Sequence, residues 1–334
     1  MTPTSSYSSQ PPDLQEVDRL IAQIKEVRHA VGEVIFGQDQ VVEDVLVTLL
    51  SGGHALLVGL PGLAKTRLAH TLGTVFGLDN KRVQFTPDLM PSDILGSEVL
   101  EEGSDGTRRF RFLEGPVFCQ LLLADEINRA SPRTQSALLQ AMQEHNVSVA
   151  GQSLPLPSPF HVLATQNPIE QEGTYPLPEA QLDRFLLQIN VDYPDEAAER
   201  AILATTTGAH DVSPRPVMTA RELMVAQQLV RRMPIGDSII DAILRLVRSG
   251  RPQTTSLPEV RDLVSWGPGP RASQALALAV RARALLEGRS APTHQDVAVL
   301  APAVLRHRMA LTFSARADGV SLDTVIDRLI GLLS

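Results

Sequence analysis

Three absences limit what this chain can be. Cys119 is its one cysteine, so the chain can form neither an internal disulfide nor a zinc site built from cysteines. No apolar run approaches the roughly 18 residues that a membrane-spanning helix needs, and the N-terminus lacks a basic segment followed by an apolar one. No internal period of about 20–50 residues recurs, which argues against a repeat solenoid. These absences predict a non-repetitive cytoplasmic protein without a membrane span.

The charges are unevenly distributed along the chain. The 334 residues contain 30 Lys and Arg against 38 Asp and Glu, a net charge of −8. Residues 1–205 hold 14 of the basic and 27 of the acidic side chains, which leaves 16 and 11 for the remainder. An acidic chain argues against nucleic-acid binding, because phosphate contacts need a basic face. The opposite signs of the two parts favour packing between them, within one chain or between neighbours.

The apolar pattern predicts two domains of different class after a disordered tail. The tail is residues 1–12, which are polar and rich in proline. Residues 13–208 alternate short apolar runs with helical spacing, which predicts an α/β domain with a parallel sheet covered by helices on both faces. Residues 209–334 show only helical patterns and are predicted to form a small all-α domain. The five predicted strands are residues 55–58, 83–85, 121–124, 161–164 and 185–191.

Two further segments of the first domain have the pattern of β-hairpins. Residues 96–115 contain a turn-prone Gly-Ser-Asp-Gly sequence at 103–106 between two extended stretches. Residues 146–160 alternate apolar and polar side chains on either side of an Ala-Gly-Gln turn at 150–152. We therefore expect two hairpins to be inserted into the parallel sheet domain.

The strongest functional signal is a glycine-rich segment between the first predicted strand and the helix after it. It consists of Gly59, Leu60, Pro61, Gly62, Leu63, Ala64, Lys65 and Thr66, and Arg67 follows it. This context is typical of a phosphate-binding loop, in which backbone N–H groups surround an anion at the positive end of a helix. Lys65 would supply charge for the terminal phosphates and Thr66 a hydroxyl for Mg²⁺. Ala64 stands where the motif has glycine, so we expect its φ to be negative.

An acidic pair follows the third predicted strand. Asp125 and Glu126 come directly after the apolar run 121–124, which is the arrangement of a Walker B motif. Asp125 is predicted to hold Mg²⁺ through water, and Glu126 to orient and polarise the water that attacks the terminal phosphate. Asn167, after the fourth strand, could hydrogen-bond that water or the γ-phosphate. Each feature alone is also a common loop signal, but together with residues 59–66 they favour ATP hydrolysis.

This set of motifs resembles that of the AAA+ ATPases and, within them, the MoxR family. The resemblance extends from about residue 34 to the end of the chain. Besides residues 59–66, its stretches are Ala-Asp-Glu-Ile-Asn-Arg-Ala at 124–130, Gln-Ala-Met-Gln-Glu at 140–144, Ala-Thr-Gln-Asn-Pro at 164–168, Glu-Ala-Gln-Leu-Asp-Arg-Phe at 179–185 and Val-Leu-Arg-His-Arg at 304–308. It implies an ATP- and Mg²⁺-dependent ATPase domain with five strands, followed by a helical lid.

The resemblance also assigns roles to individual residues. Asn167 falls at the sensor-1 position, and Arg184 falls at the position of an arginine finger that acts on ATP held by a neighbouring subunit. Arg271 would be the sensor-2 arginine of the lid and bind ATP, although the preceding Gly-Pro-Gly-Pro departs from the family pattern. Gly37 and Gln38 lie in the segment that packs against adenine in the family.

Two residues of the family motifs have less definite roles. Arg129 lies one turn from the acidic pair, and we expect either a contact with nucleotide across the subunit interface or an ordinary salt bridge. His307, between Arg306 and Arg308, matches the family, but its chemistry suggests no role.

The function implied by the resemblance is chaperone-like. It comprises a homo-hexameric ring with ATP at the subunit interfaces, remodelling or maturation of client complexes by cofactor or metal insertion, and partners with von Willebrand factor A domains. The two hairpins would face the pore of the ring and its substrates. One alternative is an AAA+ nucleic-acid motor, against which the acidic balance argues. Another is a nucleotide-dependent scaffold without catalysis, for which Ala64 in the loop is a hint.

Overall fold

The structure is a computed structural model that describes residues 14–102, 108–149, 151–170, 173–206 and 213–333. The predicted tail at 1–12, the turn at 103–106 and the domain boundary at 208–209 lie outside these residues. No helix in the described ranges combines the length and the apolar character needed to cross a membrane.

The first domain runs from the N-terminal helices to the helix after the last strand of the main sheet. Its elements are α1 (Leu14–Gly32), α2 (Asp39–Leu50), β1 (Ala55–Gly59), α3 (Lys65–Val75), β2 (Asn80–Gln84), α4 (Pro91–Leu95), β3 (Gly96–Glu102), β4 (Arg108–Glu114), β5 (Leu121–Asp125), α5 (Pro132–Glu144), β6 (Asn146–Val149), β7 (Gln152–Pro155), β8 (His161–Gln166), α6 (Glu179–Leu182), β9 (Leu187–Val191) and α7 (Glu196–Thr206).

The second domain is the lid. Its elements are α8 (Ala220–Arg232), α9 (Asp237–Ser249), α10 (Pro258–Leu263), β10 (Val264–Trp266), α11 (Pro270–Leu286), α12 (His294–Leu305), β11 (Ala310–Leu311), α13 (Phe313–Ala317) and α14 (Leu322–Ile330). Short 3-10 turns occur at Ile127–Arg129, Arg306–Arg308 and Gly331–Leu333.

The main sheet has five parallel strands in the order β2-β5-β8-β1-β9, which confirms the predicted fold class. All five residues of β5 are buried, because helices cover both faces of a parallel sheet and its central strands are therefore continuously apolar. The edge strand β2 begins at Asn80, three residues before its predicted start. Val83 is its one buried residue, so β2 lacks the apolar run by which its length could be predicted.

Both predicted hairpins are present as antiparallel pairs, β3 with β4 and β6 with β7. The lid differs from the prediction in one respect. The sequence indicated no strands after residue 208, but β10 and β11 form a short antiparallel pair within the helical lid. Strands of three and two residues are too short to show a period in the sequence.

The lid packs against the first domain through buried contacts. Helix α11 of the lid lies against α2, and Arg283 on α11 donates to Glu43 on α2 with an Nε–Oε1 distance of 2.9 Å. Arg283 also pairs with Asp296 on α12, whose side chain is fully buried. The pair with Glu43 joins a basic group of the second part of the chain to an acidic group of the first, whereas the pair with Asp296 lies within the second part. The uneven charge distribution therefore corresponds to contacts inside one chain.

Candidate functional site

A polar cleft of about 440 Å³ opens at the carboxyl edge of the main sheet. It lies there because β1, β5 and β8 are parallel neighbours and their C-terminal ends meet at one edge. The lining residues come from four places along the chain, namely Pro61, Gly62, Leu63, Ala64, Lys65, Thr66, Arg67, Arg82, Gln84, Asp125, Glu126, Thr165 and Asn167. Residues 61–67, the acidic pair and Asn167 are thus brought together in one cleft.

The loop between β1 and α3 is shaped by two backbone requirements. Gly59 ends β1, where an added Cβ would lie 2.5 Å from the carbonyl oxygen of Val191 on the neighbouring strand β9, so only glycine fits. Ala64 has φ of +55° and ψ of 15° immediately before Lys65 begins α3. The expectation of a negative φ at Ala64 is wrong. A left-handed residue next to helical ones turns successive N–H groups into one concavity, which the loop adopts despite the methyl group.

Lys65 lines the cleft. Its Nζ donates to the carbonyl oxygens of Gly59 and Leu60, at 2.6 and 2.8 Å. Burial lowers the pKa of Lys65, and the carboxylates of Asp125 and Glu126 oppose that shift. The ammonium group is therefore held by the loop itself and placed opposite the acidic pair.

The acidic pair at the end of β5 is oriented by Thr165 on β8. The Thr165 hydroxyl donates to Oδ1 of Asp125 at 2.6 Å and accepts the backbone N–H of Glu126 at 2.8 Å. Glu126 has a left-handed backbone, with φ of 56° and ψ of 50°. Left-handed backbone at residues other than glycine is costly and is found preferentially at functional sites. Here it directs the Glu126 carboxylate away from the strand and toward the cleft.

Sequence reasoning did not identify Arg82 and Gln84, two cleft residues on the edge strand β2. Arg82 donates to Oδ2 of Asp125 from Nε at 3.1 Å and from Nη2 at 2.7 Å. Gln84 donates from Nε2 to Oε2 of Glu126 at 2.8 Å. Their alternation around buried Val83 was a signal that both face one side of the sheet. Each acid of the pair therefore has a fixed partner on β2.

Arg129 forms ion pairs with two glutamates beside the cleft, one of which is Glu126. Its Nη1 lies 3.2 Å from Oε2 of Glu126 and 3.4 Å from Oε1 of Glu170. Asn167 lines the cleft nearby, and its Nδ2 is 3.4 Å from Oε2 of Glu170. Within this chain Arg129 is a salt-bridge residue, which is one of the two roles expected for it.

The segment expected to pack against adenine lies behind the loop. Gln38 is buried and donates from Nε2 to the carbonyl oxygen of Leu63 at 3.3 Å. Gly37 has φ of +67°, and a Cβ there would lie 2.2 Å from Cβ of Ala198 on α7. Gly37 and Gln38 thus connect the phosphate loop to the helix that follows the sheet.

Arg184 and Arg271 line a second cavity, of about 290 Å³, rather than the cleft of the phosphate loop. Nη1 of Arg271 is 3.8 Å from Oδ2 of Asp183, the residue before Arg184. Arg231 and Arg308 also line this cavity, which makes it strongly basic. Within one chain, therefore, Arg184 and Arg271 do not line the cleft that holds the phosphate-loop residues and the acidic pair.

The left-handed backbone of Ala64 allows a test of the loop geometry. Ala64→Gly is expected to raise the free energy of unfolding by about 1 kcal/mol, because glycine adopts this conformation without a Cβ penalty. Ala277→Gly, in the interior of α11, is expected to lower it by about 1 kcal/mol, since glycine disfavours helix. Urea denaturation of both variants measures the two changes in the free energy of unfolding and thereby gives their signs. A loss of stability in Ala64→Gly would contradict the assigned backbone conformation.

The chain is similar to known proteins over most of its length. The model of the ATPase family associated with various cellular activities (AAA) matches residues 54–187, and that of the AAA lid domain matches residues 259–329. Chaperone MoxR1 of Mycobacterium tuberculosis is 44% identical over 315 residues, which are 93% of this chain and 82% of the relative. Protein MoxR of Paracoccus denitrificans is 33% identical over 309 residues, covering 87% of this chain and 89% of the relative.

The fold is similar to a solved structure as well. The structure of a protein from Cytophaga hutchinsonii, assigned as an ATPase, matches with a TM-score of 0.88 and 36% identity, over 95% of this chain and 96% of that one. The chain therefore belongs to the AAA ATPases and, within them, to the MoxR family. AAA ATPases bind and hydrolyse ATP. The predicted family resemblance is confirmed.

Proposed function

We propose that this chain hydrolyses ATP in the cleft at the carboxyl edge of its sheet and uses the turnover to remodel client proteins. The observation that carries the proposal is the convergence of Lys65, the pair Asp125 and Glu126, and Asn167 on one cleft. These residues belong to three different strand ends. Their side chains supply a cation, two carboxylates and an amide, which is the set that phosphoryl transfer to water requires.

Binding of the triphosphate is assigned to residues 59–67. The backbone N–H groups of the loop and the positive end of α3 would surround the phosphates. Lys65 would exchange its contacts with the Gly59 and Leu60 carbonyls for the β- and γ-phosphate oxygens, where an ammonium group is stabilised more strongly. Gln38 would keep the loop in place through its bond to Leu63.

Thr66 and Asp125 fit a Mg²⁺ ion. A hydroxyl and a carboxylate are hard oxygen ligands, and both line the cleft. The ion, when bound, would neutralise charge on the phosphate oxygens. Arg82 would have to leave Oδ2 of Asp125 for that oxygen to face the ion or its water, and Thr165 would hold the other oxygen in place.

Glu126 is assigned as the residue that orients and polarises the attacking water, and Asn167 as a hydrogen-bonding partner of that water or of the γ-phosphate. The hydrogen bond from Gln84 and the ion pair with Arg129 both hold Oε2 of the Glu126 carboxylate. A fixed carboxylate needs little reorganisation during the reaction, which is the usual source of catalytic power in such sites.

Arg184 is assigned to the ATP of a neighbouring subunit. It lines the second cavity, so its guanidinium would act on a nucleotide held by another chain and not on that of its own cleft. Arg271 lines the same cavity and would act on the same neighbouring nucleotide beside Arg184. The proposal therefore includes a ring, for which we propose the six subunits implied by the family.

The client-directed part of the proposal comes from the relatives. The 44% identical relative is named a chaperone, and we propose the same kind of work here, with partners that carry von Willebrand factor A domains. The exposed hairpin β3–β4, with Leu100 opposite Phe110, is the surface assigned to face the pore and its substrates.

The test is ATP hydrolysis by the purified full chain over a range of protein concentrations, with Mg²⁺ and with EDTA. We expect Mg²⁺-dependent turnover whose specific rate rises with concentration, because the site is completed by a neighbour. Tight ATP binding without turnover at any concentration would favour a scaffold. Stimulation of the rate by DNA would favour a nucleic-acid motor.

A further inference from the structure

The sequence Arg306-His307-Arg308 belongs to a family stretch to which neither the motifs nor the proposed cleft gives a role. It forms a 3-10 turn at the end of α12 in the lid. His307 and Arg308 are 3% and 2% exposed, which is rare for such residues unless they have fixed partners. Apart from Val304 on α12, the partners of these two side chains lie in the first domain.

Arg308 contacts the side chain of Asp183, which precedes Arg184, and backbone carbonyl groups that follow Arg184. Its Nε donates to Oδ1 of Asp183 at 2.7 Å, and its Nη2 donates to the carbonyl oxygen of Phe185 at 2.6 Å. Its Nη1 donates to the carbonyl oxygens of Leu186 at 3.1 Å and of Val304, on α12, at 2.7 Å. A planar guanidinium presents several donors in a fixed fork, so one side chain holds all of these acceptors at once.

His307 strengthens the same attachment. Its Nε2 donates to the carbonyl oxygen of Phe185 at 3.0 Å, and burial together with Arg308 lowers its pKa well below the usual range, so the ring is neutral. Arg271, on α11, approaches Asp183 from the cavity side at 3.8 Å. The residues immediately before and after Arg184 are therefore fixed by the lid and not only by the sheet.

We propose that Arg308 is a positioning residue for Arg184, and that the lid determines through it whether a subunit can offer Arg184 to its neighbour's ATP. The inference rests on the proposed function, because it concerns how Arg184 is placed. Charge-assisted hydrogen bonds in a buried site resist displacement, so a shift of α12 would carry the Asp183–Phe185 backbone with it. A lid movement in one subunit would thereby change hydrolysis in the next.

The test mixes subunits that can only donate Arg184 with subunits that can only receive it. Glu126→Gln subunits keep Arg184 but lack the catalytic carboxylate, whereas Arg184→Ala subunits keep the cleft but lack the finger. We expect the mixture to hydrolyse ATP although neither variant does alone. Adding Arg308→Lys to the donor should lower the rate of the mixture by at least about tenfold, since small misplacements of catalytic groups have effects of that size or larger.

The same substitution in the receiver supplies the control for a merely structural role. Arg308→Lys added to the Arg184→Ala receiver is expected to leave the rate of the mixture within about twofold, because the finger it positions is already absent. Arg306→Lys in the donor is a second control. Arg306 is paired with Asp323 on α14, inside the lid, so its replacement should leave the rate of the mixture unchanged.

Each outcome is decisive. Equal loss with Arg308→Lys in donor and receiver, or no loss in either, would overturn the positioning role. If Arg308→Lys does not fold or assemble, as judged by thermal denaturation and light scattering, Asp183→Asn replaces it in both placements, because it removes the negative charge that pairs with Arg308 and keeps the buried arginine. If the unmodified donor and receiver give no turnover together, the shared site is wrong, and with it the inference that depends on it.

Discussion

Glu126→Gln is expected to bind ATP as the unmodified chain does and to hydrolyse it at least about 100-fold more slowly, since general base catalysis contributes factors of that size. The amide has the shape of the carboxylate and can still accept the hydrogen bond from Gln84, so the cleft keeps its form. It is neutral, however, and cannot polarise a water molecule. Turnover under saturating ATP, measured beside ATP binding at equilibrium, separates the two effects.

A matched control is available at Glu170. This carboxylate also pairs with Arg129, at 3.4 Å, but it is not assigned to the reaction. Glu170→Gln is expected to slow turnover by less than about fivefold, because a half-exposed ion pair contributes at most about 1 kcal/mol. Turnover of Glu126→Gln at the unmodified rate would remove Glu126 from the catalytic role.

Arg184→Ala is expected to retain ATP binding and to lose hydrolysis by about 1000-fold, the lower range known for arginine fingers. Binding should survive because Arg184 lies on the second cavity and not in the cleft of its own chain. Hydrolysis should fail because the charge that develops on the γ-phosphate would lack its guanidinium partner. The measurements are the rate at saturating ATP, the affinity for ATP and the assembly state by light scattering.

The control for Arg184 is Arg231→Ala. Arg231 lines the same basic cavity from α8 and is exposed, so its loss removes one positive charge without touching the Asp183–Phe185 backbone. Arg231→Ala is therefore expected to have only a small effect on the rate of ATP hydrolysis. A normal rate in Arg184→Ala would refute the finger assignment, and a strict monomer in the presence of ATP at high protein concentration would refute the shared site.

Some features of the fold could be predicted because they depend on neighbouring residues. β1, β5 and β8 are short apolar runs buried by helices on both faces, and such runs indicate central strands of a parallel sheet. The start of edge strand β2 was predicted less accurately, because this strand buries only Val83. The backbone of Ala64 was predicted wrongly, since the preference of alanine for negative φ was overcome by the geometry of the loop in which it lies.

The sequence by itself determined the parallel sheet, the glycine-rich segment of residues 59–66, the acidic pair and, by resemblance, the family, because each of these depends on a few residues close together in the chain. Only the tertiary structure decided which charges meet. Arg82 reaches Asp125 across 43 residues, and Arg308 reaches Asp183 across 125. Such pairs have no local pattern, because the order of the strands and the packing of the lid, and not the spacing along the chain, bring their side chains together.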